Sequence, residues 1–363
     1  MNKMKKILIS LFMIAAISGC SCNNNQCKCP TDEINSDESY SVVKTDYSEL
    51  YAKTVKSVVM VRLQKKSDKV GSGTTGSGVV VYEEGEYAYI YTNAHVVKNL
   101  TSELEIEVLF SDKNGFPSGE SEIATLMGKD IYEDVAVLQI KKSNKYSLAT
   151  LGDSSKVEAG DFVYTIGSPF GNYNYTTSGS VSAVNAPVVL NYNNTAINTT
   201  VYALLTNAPI NEGNSGGALF NDKGELIGIT SFKYTDYNGL YGVLPINYFK
   251  KVANHLFINS TNYVRPKLNA TLYSVNEMGA SKNTNYGIAD SIKTGVYVKN
   301  ELEENLISDV IITEINGQKI TSLVDYEVEL LKYSVGDQIT ITYIDKYGLN
   351  TQTVTITLHS WLR

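Results

Sequence analysis

The chain has 363 residues, 43% hydrophobic and 19% charged, enough material for two or three buried cores and unlike a disordered or collagenous protein. Its formal net charge of −7 argues against nucleic acid as a partner, because phosphate recognition needs clustered cations. No apolar run reaches the ~20 residues of a membrane-spanning helix, and the balance is that of a soluble enzyme or binding module.

Residues 1–19 read as an address: Lys3, Lys5 and Lys6 precede the apolar stretch Ile7 to Ile17, followed by Ser18, Gly19 and Cys20. The ending Ile-Ser-Gly-Cys resembles the lipobox of bacterial lipoproteins, which implies lipidation of Cys20 and a membrane anchor outside the cytoplasm. An ordinary secretory signal with an incidental cysteine is the alternative. Several acyl chains on one residue anchor stably, whereas one chain is marginal. All four cysteines lie between Cys20 and Cys29, in CSCNNNQCKCP. The two C-x-C pairs could hold a soft metal or form disulfides. No apolar residues recur there to build a cage, so residues 20–46 read as a solvated, flexible tether without a metal site.

From residue 47 to about 258 the chain shows short β-branched and aromatic runs between Gly, Asn, Asp and Ser. Predicted strands are Val58–Leu63, Gly78–Tyr82, Tyr87–Thr92, Leu104–Phe110, Asp134–Ile140, Phe162–Gly167, Leu226–Phe232 and Leu240–Ile246. This pattern predicts a sandwich or barrels. A helical period over Tyr248–Phe257 closes the segment, and Asn259–Asn262 reads as a linker. Residues 264–363 read as a small α/β domain. Strands Gly295–Lys299 and Asp309–Ile315 come first, then the Asn316-Gly317 turn and a helix-period stretch Leu323–Tyr333. Strands Gln338–Asp345 and Thr351–Leu358 complete it.

Three stretches carry chemistry: TNAHVV with His95, EDVAVLQI with Asp134, and NEGNSGGAL with Ser215. Imidazole takes and returns a proton near neutrality. A serine hydroxyl becomes nucleophilic when such a base removes its proton, and a buried carboxylate fixes the imidazole tautomer. Gly213 allows the tight turn that aims two backbone N–H groups, of Gly213 and Ser215, at one developing oxyanion. Each stretch alone is weak: glycine-rich loops are commonly turns, and a lone histidine is commonly packed or solvated. His, Asp and Ser in that order on an all-β background are specific.

With these residues the chain resembles the HtrA/DegP family of trypsin-like serine proteases with a C-terminal PDZ domain. Gly76–Val81, Gly167–Gly171, Thr177–Val184 and Tyr241–Asn247 join the three stretches in the family's order. The resemblance implies a double β-barrel, a PDZ-like domain, cleavage of unfolded or damaged polypeptides without cofactor or metal, and a homo-oligomer, usually a trimer. Tyr47 and Tyr51 are the expected oligomer contacts. Cleavage after Lys or Arg uses an acid six residues before the nucleophile; Pro209 stands there, which predicts a small or medium aliphatic P1 residue. The edge of Ile229, Thr230, Ser231 and Phe232 is expected to pair with an extended substrate. Gly167–Ser180 resembles the family's regulatory loops, an ordinary surface connection being the alternative. Family PDZ domains capture a terminal carboxylate on a glycine-bearing loop, but Arg265–Ala270 has no glycine, so carboxylate capture is not expected. The competing functional reading is an inactive, peptide-binding chaperone lipoprotein on the same fold.

Overall fold

The computed structural model describes residues 21–23, 26–28, 47–67, 75–169, 174–190, 199–233, 239–259, 262–268, 270–276, 278, 285–300 and 308–360. Met1–Thr45 and Asp46–Arg363 are separate compact units. In the first, strands β1 (Ser21–Asn23) and β2 (Gln26–Lys28) pair antiparallel, with Cys22 opposite Cys27. The expected tether thus contains a short hairpin, consistent with the polar-Cys-polar alternation of both segments. The leader 1–19 and Cys20 lie outside the described residues.

The second unit begins with a helix that local pattern does not announce, α1 (Tyr47–Thr54). Tertiary partners hold it: the Tyr47 ring stacks on Phe162 at 4.3 Å, and the Tyr51 hydroxyl donates to the Asn174 carbonyl at 2.7 Å. The two tyrosines expected at an oligomer contact therefore have partners within their own chain.

Six strands follow: β3 (Val58–Lys65), β4 (Thr75–Glu84), β5 (Tyr87–Thr92), β6 (Leu104–Ser111), β7 (Pro117–Asp130) and β8 (Val135–Lys141). They close into a barrel in the order β3-β4-β5-β8-β7-β6. The apolar runs of β3, β4, β5 and β8 have a simple cause, which is burial of both faces, whereas residues 117–121 of β7 are exposed. In β8, Ala136, Leu138 and Ile140 fill the barrel, while Val135 and Val137 join the core shared with the second barrel. Val80 and Ile90 likewise point inward, and Val79, Val81, Tyr89 and Tyr91 outward into that shared core.

The second barrel comprises β9 (Thr150–Leu151), β10 (Phe162–Gly167), β11 (Tyr175–Leu190), β12 (Thr199–Thr206), β13 (Ala218–Asn221), β14 (Glu225–Lys233) and β15 (Tyr241–Pro245). The order is β13-β10-β11-β12-β15-β14-β9, and an additional β13–β14 pairing closes the ring. Strand β11 takes residues 175–180 out of the expected Gly167–Ser180 loop, of which residues 170–173 lie outside the described residues. Tyr175 to Ser180 pair with Gly167 to Phe162 in β10, because the Thr/Ser-rich run alternates on a half-exposed face. Helix α2 (Ile246–Asn259) then packs Phe249, Val252 and Leu256 into the shared core.

The C-terminal region holds β17 (Thr271–Ser274), β18 (Val296–Asn300), β19 (Val310–Ile315), β20 (Gln318–Lys319), β21 (Gln338–Asp345) and β22 (Thr351–Thr357), with helix α3 (Leu323–Leu330). The small pair β16 (Pro266–Lys267) and β23 (His359–Ser360) flanks this sheet. Asn316 (φ 48°) and Gly317 (φ 77°) make the expected tight turn between β19 and β20. Ser322 caps α3 by accepting the Asp325 N–H. The helix stops at Leu330, shorter than its sequence period suggests: the N–H groups of Leu331, Lys332 and Tyr333 close a turn on the carbonyls of Glu327, Glu329 and Leu330, and the Ser334 N–H donates to the Asp337 carboxylate.

Candidate active site

Antiparallel register puts the end of β5 beside the start of β8: Thr92 pairs with Ala136. His95 stands in the 3₁₀ turn Ala94–Val97 just past β5, and Asp134 immediately precedes β8. Strand pairing therefore brings together two residues 39 positions apart. His95 Nδ1 lies 2.9 and 3.0 Å from the two Asp134 carboxylate oxygens, and the His95 backbone N–H donates to Oδ1 at 3.0 Å. Asp134 is fully buried and adopts φ 55°, a left-handed conformation that Asp tolerates better than most residues. The Asn93 side-chain amide donates to the Asp134 carbonyl at 3.0 Å and fixes that turn.

Burial works against the imidazolium form of His95, and Lys98 does so to a lesser degree. The Asp134 charge and hydrogen bond outweigh both and raise the pKa above 6.5.

Ser215 arrives from the second barrel. Its hydroxyl donates to the Ser231 carbonyl at 3.0 Å, and the Ser231 hydroxyl donates to Asp134 Oδ2 at 2.6 Å. One residue thus ties the serine to the carboxylate that holds the histidine. All three sequence-selected residues converge on the seam between the barrels.

The loop carrying Ser215 is braced from both sides. Gly216 N–H donates to the Thr230 carbonyl at 2.8 Å, Thr230 N–H to Gly217 at 2.9 Å, and Thr230 Oγ1 to Asn214 at 2.6 Å. From the first barrel, Ser77 N–H donates to the Ser215 carbonyl at 2.8 Å and Ser77 Oγ to the Gly213 carbonyl at 2.7 Å. Gly213 sits at φ 95°, and its carbonyl is turned toward Ser77. Among the described residues no group accepts from the N–H of Gly213 or of Ser215. A Cβ on Gly216 (φ 85°) would lie 2.1 Å from the Ser77 carbonyl oxygen, so only glycine fits that approach.

The Ile229–Phe232 segment is not uniformly an edge. Ile229 pairs with Ala218 on one side and Leu244 on the other, and Thr230 is bonded to Gly216, Gly217 and the facing Val243. Both are fully buried, so neither is open to a further strand. A register shift between Thr230 and Phe232 marks a bulge at Ser231, and the β13–β14 pairing reaches no further than Ile229. The Phe232 ring lies across Gly242, where a Cβ would come within 2.0 Å of it. Pro209 is exposed, and its carbonyl accepts from Thr177 Oγ1 at 2.7 Å.

Ser77 was not singled out from sequence; the only signal was a hydroxyl in an otherwise apolar, glycine-flanked strand. The side-chain role of Ser231 was equally hidden, because serine in a strand is ordinary.

Residues 76–229 match the model of a trypsin-like peptidase domain. The chain is 31% identical over 292 residues to the serine protease Do-like HtrA of Lactococcus lactis subsp. cremoris (strain MG1363), covering 76% of this chain and 69% of the relative. It is 32% identical over 295 residues to the serine protease Do-like HtrB of Bacillus subtilis (strain 168), covering 77% and 62% respectively. The HtrA-type protease AlgW, solved with a tripeptide, superposes with a TM-score of 0.64 at 24% identity over 88% of this chain and 98% of that one, a likeness of fold. The two closed barrels are thus of the trypsin-like kind, and the chain belongs to the HtrA/Do-like family of serine proteases as a serine endopeptidase.

Proposed function

We propose that this endopeptidase cleaves unfolded or damaged polypeptides outside the cytoplasm through an acyl-enzyme, with Ser215 as nucleophile, His95 as general base and Asp134 as its orienting carboxylate. The observation that carries this reading is the two-point grip of buried Asp134 on His95, extended through Ser231 to the Ser215 hydroxyl. With Nδ1–H held by the carboxylate, Nε2 takes the Ser215 proton and later returns it to the leaving amine. The N–H groups of Gly213 and Ser215 receive the oxyanion; losing one such donor costs ~10²–10³ in turnover. No cofactor or metal enters this chemistry.

The substrate extends along β14 from Ser231 outward, so the backbone supplies affinity and an unfolded chain is the form that fits. Pro209 in place of an acid, and the Phe232 ring over Gly242, support a small aliphatic P1 residue. The C-terminal sheet with α3 reads as a PDZ-like domain over 264–363, following a protease domain over 47–258. Carboxylate capture there is disfavoured, because the Leu268 N–H in the relevant stretch already meets the Tyr326 hydroxyl at 3.4 Å. Lipidation at Cys20, attachment to the bacterial envelope and homo-oligomerisation complete the proposal.

A fluorophosphonate probe and an unfolded casein-like substrate test it. Labelling and hydrolysis by the parent, both lost in Ser215→Ala, support it; suppression of aggregation without labelling or hydrolysis would leave a chaperone instead.

A further inference from the structure

The loop that delivers Asp134 is tied to residues more than a hundred positions downstream. At the end of β7, Asp130 is fully buried; its Oδ1 accepts the N–H groups of Tyr132 (2.8 Å) and Glu133 (3.1 Å), closing a tight turn. Its Oδ2 accepts the N–H of Tyr263 at 2.6 Å.

Glu133 is also fully buried, one peptide bond from Asp134. Arg265 grips it with two prongs, Nε to Oε1 at 3.0 Å and Nη2 to Oε2 at 2.6 Å, and its Nη1 donates to the Thr200 carbonyl at 2.7 Å. The Tyr248 hydroxyl of α2 donates to Glu133 as well; burial and the Glu133 charge raise its pKa well above 10, so it stays a donor. The Arg265 guanidinium also faces the Tyr248 ring at 5.8 Å.

Tyr263 and Arg265 belong to the connector between the barrels and the C-terminal sheet. The Arg265 charge is also felt by Glu327 on α3. Nearby, Lys251 of α2 donates to the carbonyls of Leu331 (2.6 Å) and Tyr333 just past α3. The connector thus grips the Asp134 loop at one end and continues into a docked sheet at the other.

From this arrangement we infer that Arg265, through its bidentate grip on Glu133, is a positioning residue for Asp134 and hence for the alignment of His95. The inference rests on the catalytic roles proposed above. A buried carboxylate deprived of its cation must move or neutralise. Glu133 shares a peptide with Asp134, so a shift of its backbone is passed on to Asp134, and a misplacement of about 1 Å is enough to cost ~10²-fold in rate.

The test uses the full chain with Arg265→Met, Arg265→Lys, Glu133→Gln and the double substitution Glu133→Gln/Arg265→Met. Readouts are kcat and KM on an unstructured peptide, thermal unfolding, and titration of the His95 ring followed by NMR. Arg265→Met is expected to lower kcat about tenfold or more while KM stays within about twofold. The His95 titration should move to lower pH as Asp134 loosens, and Arg265→Lys should recover part of both.

The double substitution removes the buried charge, so it should regain thermal stability but not kcat. Glu133→Gln, nearly isosteric, serves if Arg265→Met does not fold. Unchanged kcat and an unchanged His95 titration, alongside a lowered melting temperature, would overturn the inference and leave the pair merely structural. A parent enzyme that resists fluorophosphonate would refute the proposed chemistry instead, and the His95 titration would still judge the grip on Asp134.

Discussion

Asp134 is the residue on which most of the site's geometry converges. Its carboxylate accepts from His95 at two points and from Ser231, which leaves the side chain no freedom to rotate. In the proposed role of general base His95 must be neutral, so its raised pKa is expected to place the acid limb of kcat/KM above pH 6.5, which a pH–rate profile on a peptide substrate would register. The same shift has a stability consequence. The protonated pair stabilises the fold fully below pH 6.5, and that contribution is lost as pH rises through the folded value. Ser231→Ala keeps the backbone carbonyl that holds Ser215 but removes the hydrogen bond to Asp134. Hydrogen bonds to charged groups contribute about 1.5–3 kcal/mol, so kcat should fall about tenfold or more with KM little changed. Equal kcat in the two enzymes would reduce Ser231 to a backbone role. His95→Ala and Ser215→Ala should each lose about as much rate as the double variant, because the residues act as a unit; additive losses would contradict the triad. Gly216→Ala places a methyl group 2.1 Å from the Ser77 carbonyl, and soluble expression with intact labelling of Ser215 would show that the loop can relax further than the geometry allows.

At the level of elements, strand register makes the site. The β5–β8 pairing sets histidine beside aspartate, and Ser77 on β4 reaches across the seam to hold the serine loop from behind. Helices α2 and α3 meet through Lys251, whose pKa burial lowers from 10.5 to about 8 against the opposing pull of Asp337. The sign follows from proton counting. Between about pH 8 and 10.5 the unfolded chain binds more protons at this site than the folded one, so stability rises with pH across that window. In Lys251→Met this rise should be absent, as denaturant unfolding at pH 8 and at pH 10 would reveal.

At the scale of the whole molecule, barrels and C-terminal sheet form one compact unit from Asp46 to Arg363. The buried Arg265–Glu133 pair crosses from connector to barrel, and breaking such a pair by removing one partner costs about 3–5 kcal/mol. A protein ending at Asn259 should therefore be less stable in denaturant than one carrying the C-terminal sheet, by about that amount. Unchanged stability would mean that Glu133 finds another partner.

The sequence alone pointed to eight of the barrel strands, because an apolar run such as residues 135–138 implies burial of both faces, and the core clusters agree; β7, β12 and β13 were not legible in it. It also pointed to His95, Asp134 and Ser215, through their proton-transfer and nucleophilic chemistry, their order along the chain and the glycines around Ser215. Helix α1, the long strand β11 and the bulge at Ser231 were not legible. Each depends on a partner remote in the chain: Phe162 and Asn174 for α1, β10 and β12 for β11, β15 for the bulge. Only the tertiary structure decided that Ser231 and Ser77 clamp the loop carrying Ser215 and that Arg265 meets Glu133. Local pattern reports which face of a segment is buried; it carries no information on which distant hydroxyl or guanidinium completes a buried polar group.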